Sequence, residues 1–157
     1  MKHISLNLTE KKLTVFLARK RYEYCRQVGA EATIYHKITS LEAEIDSFGA
    51  EVAYCKMMNV YPDTDYTHFA PFDAVVNGKT VDVKYTRLKS GRLLVKVIAG
   101  KERPDKYALM TGNFPNYTFV GEIDASIVLD DTNIDYRLPS PAYAISQSRL
   151  AAVPRTA

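Results

Sequence analysis

Phe72-Asp73-Ala74-Val75-Val76-Asn77-Gly78-Lys79-Thr80-Val81-Asp82-Val83-Lys84-Tyr85 is the stretch on which the fold turns. Two β-rich runs, Phe72 to Val76 and Lys79 to Tyr85, are separated only by Asn77-Gly78, the pair best suited to the two positive-φ positions of a type I′ hairpin. A two-residue turn sets the register, so Val76 faces Lys79, Val75 faces Thr80, Ala74 faces Val81 and Asp73 faces Asp82. Counting outward from the turn, Asp73 and Asp82 are expected as a non-hydrogen-bonded pair with Cβ atoms roughly 4.5–5.5 Å apart. Side chains alternate along a strand, which puts Lys84 on the face of Asp82 and near Asp73. Phe72, Ala74, Val76, Val81, Val83 and Tyr85 take the opposite, apolar face.

Two carboxylates directly opposite each other destabilise a sheet unless a cation or a raised pKa compensates. A divalent metal is the natural compensator, because hard cations take one or two carboxylates and fill their remaining positions with water and phosphate oxygens. A charged trio on one face of a rigid hairpin, backed by an apolar face, is the arrangement expected of an active site.

Upstream, a helix is expected from about Thr39 to Asn59, with Thr39 and Glu42 as a capping box. Leu41, Ile45, Phe48, Val52 and Cys55 form its apolar stripe. Glu51 lies at the edge of that stripe, where a carboxylate can point into a cleft. A first helix is expected from about Thr9 to Val28, started by Asn7 with Glu10 and stopped by Gly29. Leu13, Phe16, Leu17, Tyr24, Cys25 and Val28 recur on it at helical spacing. Its other face, with Lys11, Lys12, Arg19, Lys20, Arg21 and Arg26, reads either as a phosphate-contacting surface or as a solvated helix face.

Tyr61 to Pro71 is a loop by its prolines and its Asp63-Thr64-Asp65 cluster, which lacks the Gly and terminal Glu of a calcium loop. His68, just before Asp73, is more simply incidental than catalytic. Downstream, Ser90-Gly91 is a turn, Leu93 to Ile98, Tyr107 to Met110 and Tyr117 to Val120 are strands, and a short element capped by Ser146 runs to Ala152.

The length suits one domain with one core. Cys25 and Cys55 have neither CxxC spacing nor a nearby His pair, which argues against zinc and for free thiols on helices, consistent with the cytoplasm. The N-terminus has no apolar run of the signal-peptide kind, and no stretch is long enough to span a bilayer, so no membrane partner is expected. The formal net charge is only +3, yet from Lys79 to Lys106 nine basic residues stand against three acidic ones. Either a solvated strand surface or a nucleic-acid contact explains that excess. Arg87, Lys89, Arg92 and Lys96 are the candidate nucleic-acid-binding residues within it.

Glu51 within Gly49-Ala50-Glu51-Val52-Ala53, then Phe72-Asp73, then Asp82-Val83-Lys84 resemble the PD-(D/E)xK nuclease superfamily, with Phe72 where a Pro often stands and Pro71 one residue earlier. Asp105-Lys106-Tyr107-Ala108-Leu109 and Phe119-Val120-Gly121 are similar to later strands of small phage-type members. The resemblance implies an α/β fold: a mixed central β-sheet flanked by helices, restriction-endonuclease-like, with an α-β-β-β-α-β core at 39–157 and an N-terminal helical extension at 1–38. It implies a metal-dependent DNA endonuclease in which Asp73, Asp82 and the Val83 carbonyl hold Mg²⁺ or Mn²⁺. Lys84 would orient or deprotonate the attacking water, and Glu51 would bind the metal through water or hold Lys84. Stand-alone relatives include phage recombination nucleases, junction resolvases and homing endonucleases, which for a phage protein implies the host cytoplasm. Cleavage of both strands by so small a chain implies a homodimer or homotetramer. The alternative is a catalytically inactive nucleic-acid-binding module of the same fold.

Overall fold

The computed structural model describes residues 1–28, 40–68 and 70–152. Strand β1 (Lys2–Ser5) leads into helix α1 (Leu8–Val28), and helix α2 (Leu41–Met58) precedes the hairpin β2 (Ala74–Val76) and β3 (Lys79–Thr86). Next come β4 (Leu93–Lys96), β5 (Lys106–Asn113), β6 (Asn116–Asp124), the single-turn helix α3 (Ala125–Val128), β7 (Ile134–Asp135) and β8 (Ala142–Ile145). The fold is mixed α/β. Its main sheet has the order β1-β6-β5-β3-β2, antiparallel except for the parallel pair β3–β5, and a smaller sheet has the order β4-β8-β7.

Local signals account for most of these elements. Asn7 and Glu10 form a reciprocal box at the start of α1: the Glu10 N–H donates to Asn7 Oδ1 at 2.9 Å and the Asn7 N–H to Glu10 Oε2 at 2.6 Å. Helix α2 is capped by Ser40, whose hydroxyl accepts the Ala43 N–H at 3.0 Å; Thr39 lies outside the described residues, as do Gly29 and His36. Asn77 (φ 50°) and Gly78 (φ 75°) both occupy the left-handed region, and the ladder runs Ala74–Val81, Val75–Thr80, Val76–Lys79, as the turn requires.

The main sheet is covered on both faces. On one, α1 and α2 pack with Ala74, Val81, Val83, Ala108, Met110 and Phe119; on the other, Tyr107, Leu109 and Ile123 meet the small sheet and α3. Strand β5 therefore sends alternate residues into two different apolar clusters, which explains its unbroken hydrophobic run. Helix α2 is buried all round from Phe48 to Cys55, and Cys25 and Cys55 are buried free thiols.

Four features depart from the sequence reading. Phe16 and Val28 are exposed, because the face of α1 that meets α2 is centred on Thr14, Leu17, Ala18 and Cys25. Strand β1 joins the sheet edge beside β6, so the first residues contribute to the sheet itself. The strand expected from Leu93 to Ile98 is present as β4, with Leu93 and Val95 buried and Leu94 and Lys96 facing out, but the helix of the α-β-β-β-α-β order that the resemblance implies is not found between β3 and β5. Ser146 precedes a short 3₁₀ turn (Gln147–Arg149) without capping it. Among the described residues, no helix is long and apolar enough to cross a membrane.

Candidate active site

The alternation along β3 that buries Val81 and Val83 turns Asp82 and Lys84 the other way, and the Lys84 ammonium donates to Asp82 Oδ2 at 2.8 Å. Asp73 is placed differently from the expected cross-strand partner of Asp82. The ladder ends at Ala74–Val81, and the Asp73 N–H donates to the Val81 carbonyl at 2.9 Å, so two residues of the first strand converge on one of the second. The chain leaves the sheet at this bulge. The Asp73 carboxylate then accepts the Val83 N–H at 2.7 Å, standing where continued register would have set the Phe72 carbonyl. A strand residue projects its N–H and C=O toward the same edge, so the Val83 carbonyl also faces the Asp73 side. Phe72, read as a core residue, lines the cleft.

Glu51 comes from the buried middle of α2 and is only 8% exposed. Its Oε2 accepts from Arg21 Nη1 at 3.0 Å, while Arg21 Nε lies 3.4 Å from Glu44 Oε1. Glu51, Asp73, Asp82 and Lys84, together with Arg21, line one cleft of about 410 Å³. The structure thus brings all four residues read from the motif to one place.

The electrostatics of this cleft are acidic. Burial, then the neighbouring Glu51 and Asp82 charges, push the Asp73 carboxyl well above the ordinary range, against the opposing pull of Lys84 and the Val83 N–H. For Lys84, burial favours the neutral amine, but the charge and hydrogen bond of Asp82 outweigh it and the net shift is upward, keeping it a cation. Among the described residues, six carboxylates, from Glu51, Asp63, Asp65, Asp73, Asp82 and Glu102, line the cleft with the cations of Arg21, Lys84 and Lys101. Such an excess attracts a cation and by itself repels a polyanion.

Among the described residues, no three Asp, Glu, His or Cys side chains form a ready cage for a metal ion. What the hairpin offers to the cleft is oxygen: the second carboxylate oxygens of Asp73 and Asp82, which have no hydrogen-bond partner among the described residues, and the Val83 carbonyl. That donor set fits a hard cation that keeps several waters, and it does not fit zinc.

The basic residues read as nucleic-acid contacts fare differently. Arg87 forks onto Glu42 and Asp46 of α2, with Nη2–Oε1 and Nε–Oδ2 distances of 2.8 Å each, and Arg92 pairs with Asp135 at 2.9 Å. Both are used to tie elements together, because α2 and the end of β7 bring acids opposite them. Lys89 and Lys96 are exposed, away from the cleft lining. His68 does line the cleft, and Asp63 and Asp65 shape its wall through side-chain turns: Asp63 Oδ1 accepts the Asp65 N–H, and Asp65 Oδ1 the Thr67 N–H, at 2.9 Å each.

Arg21, read as one of six cations on the polar face of the first helix, instead points into the cleft, and Lys101 and Glu102 line it without having been read as site residues. For Arg21 a signal existed: it sits between Leu17 and Cys25 at i, i+4, i+8 spacing, on the buried stripe. Nothing local marks Lys101 for the cleft. No family model, curated protein or solved structure matches the chain.

Proposed function

We propose that this chain is a divalent-metal-dependent nuclease that hydrolyses phosphodiester bonds in DNA, with a site of the PD-(D/E)xK type. The observation that carries the proposal is the convergence of Glu51, Asp73, Asp82 and Lys84 on one acidic cleft, where Asp73 and Asp82 present carboxylate oxygens. The hairpin β2–β3 with β5 parallel to β3, in a mixed sheet flanked by helices, supports this reading.

In this reading Asp73, Asp82 and the Val83 carbonyl hold Mg²⁺ or Mn²⁺. Bound there, such an ion polarises the phosphate and lowers the pKa of an attacking water. The protein's own groups do the rest. The Val83 N–H fixes the direction of the Asp73 carboxylate, and the short strand β2 leaves the Val83 edge open. Lys84, held by Asp82, orients the water by hydrogen bonding and offsets the charge that builds on the phosphoryl oxygens. Glu51, which lines the same cleft and whose charge acts on Asp73, orders water on the α2 side. A module that only binds nucleic acid has no use for the carboxylate excess, which opposes phosphate.

The test is incubation with supercoiled, linear, branched and single-stranded DNA, with Mg²⁺, Mn²⁺ or EDTA. Cleavage is expected with either ion and not with EDTA. Lys84→Ala should lower the rate by about 100-fold or more, in the range for losing one preorganised transition-state contact, with its melting temperature preserved. Wild-type rates in Lys84→Ala, or cleavage undiminished by EDTA, would remove the basis of the assignment.

A further inference from the structure

We propose that the outer face of α1, with the turn between β5 and β6, is a docking surface for an unpaired DNA strand, whose bases stack on Phe16 and Phe114 while its phosphates meet Lys11, Lys12 and Arg19. Helix and turn border a groove of about 400 Å³ lined by Lys11, Lys12, Val15, Phe16, Arg19 and Phe114, with no carboxylate among its described lining residues. Helical spacing sets Lys11, Val15 and Arg19 in one row and Lys12, Phe16 and Lys20 in the next, each an apolar residue between two cations. Phe16 is 58% exposed, with the Lys20 ammonium 5.8 Å from its ring centroid. Among the described residues, Lys11, Lys12 and Arg19 make no ion pair. Phe114 is held in place by its N–H, which donates to Asp46 Oδ1 at 2.9 Å. Glu42 and Asp46, the acids of the adjoining hollow, are engaged by Arg87.

Folding does not account for this face. A phenylalanine turned to solvent buries little, and cations in and just after the first turn of a helix oppose its dipole. An unpaired strand supplies partners for both, because every base has a flat π-face and every link a negative charge. A duplex keeps its base faces stacked inward and would use the cations alone. A membrane surface calls for a continuous apolar face, whereas here Lys12, Arg19 and Glu23 interrupt the exposed side. The surface also provides what the cleft does not: carboxylates there repel phosphate, and Arg87 and Arg92 are held in ion pairs within the fold.

The choice of DNA rests on the nuclease reading, and the test separates the two because binding is measured in EDTA, where metal-dependent cleavage does not occur. Wild type, Phe16→Ala, Phe16→Tyr and Lys12→Gln/Arg19→Gln are titrated against labelled oligothymidine, the same strand paired with oligodeoxyadenosine, and phosphatidylserine vesicles. These side chains face solvent, so melting temperatures should stay close to wild type. Phe16→Ala should weaken single-strand binding by roughly 5- to 100-fold, the range for one stacked base, and Phe16→Tyr, which keeps a ring, should restore it. Lys12→Gln/Arg19→Gln should reduce the slope of log affinity against log salt by about 1.4, as expected for two phosphate contacts on a single strand. Duplex binding should be indifferent to Phe16→Ala. Wild-type single-strand affinity in Phe16→Ala, or an unchanged salt slope in the charge variant, overturns the docking surface. So does stronger, Phe16-dependent binding to the vesicles, or no single-strand binding by wild type. DNA cleavage alongside any of those results leaves the nuclease reading standing. Variant-sensitive binding without cleavage in Mg²⁺ or Mn²⁺ overturns the nuclease reading and leaves the surface.

Discussion

Asp73 is held among Glu51, Asp82 and the Val83 N–H in a half-buried corner where burial and like charges favour its protonated form. An unfolded aspartate titrates near pH 3.9, so between about that value and the raised one the folded protein keeps a proton that the unfolded chain has released. Stability without metal should therefore fall as pH rises through that window and level off above it. Asp73→Asn, whose side-chain oxygen can still accept the Val83 N–H, should flatten this slope and raise the melting temperature at neutral pH in EDTA by a few degrees. Parallel curves for the two proteins from pH 4 to pH 8 would show that Asp73 carries no such load. Cys55 makes a second residue-level prediction: burial, then Glu51 and Asp73, push its thiol up to about 12. Neither it nor the equally buried Cys25 should be alkylated at pH 8 until denaturant is added, as read by intact mass. Asp82 and Lys84 were legible in sequence because strand alternation places them locally, whereas the position of Asp73 depended on the bulge. Arg21 was read only as one of six cations on a phosphate-contacting or solvated face, since the glutamates that receive it are placed by tertiary packing.

At the level of elements, the hairpin depends on its bend. Gly78 has φ 75° with open space around the position of a Cβ, so Gly78→Ala tests backbone conformation alone and should cost about 1–2 kcal/mol by urea denaturation. Gly49 presents the opposite case. In an unobstructed helix interior alanine would be better than glycine by about 1 kcal/mol, but a Cβ at residue 49 would overlap the Tyr117 hydroxyl, which donates to the Asp46 carbonyl at 2.8 Å. Gly49→Ala should therefore destabilise by roughly 1–3 kcal/mol; a gain would mean that Tyr117 swings aside easily. The two long helices and the hairpin were readable because each carries its own caps, period and turn. Strand β1 was not, since four residues with one buried side chain form a strand only when β6 offers its edge. The bulge at Asp73 escaped for a related reason, because where a ladder ends depends on which acceptor reaches Val83 first.

For the molecule as a whole, the cleft joins the two long helices α1 and α2 to the hairpin and to the loop at residues 100–102. Ion binding there should act on the entire fold. With Mn²⁺ at a hundred times its dissociation constant, mass action adds about 2.7 kcal/mol to unfolding, visible as a shift of several degrees in thermal melting. Asp73→Asn should abolish most of that shift; an equal shift in both proteins would place the ion elsewhere. The alternation along β3 has a last consequence. Val81 and Val83 belong to the apolar cluster under the helices, while Asp82 and Lys84 face the cleft, so chemistry and core are written in one reading frame of period two. Losing or gaining a single residue between Gly78 and Lys84 would exchange the two, sending a carboxylate inward and a valine outward. Length variation should be tolerated in the Lys89–Gly91 turn and forbidden along this strand, however conservative the inserted residue.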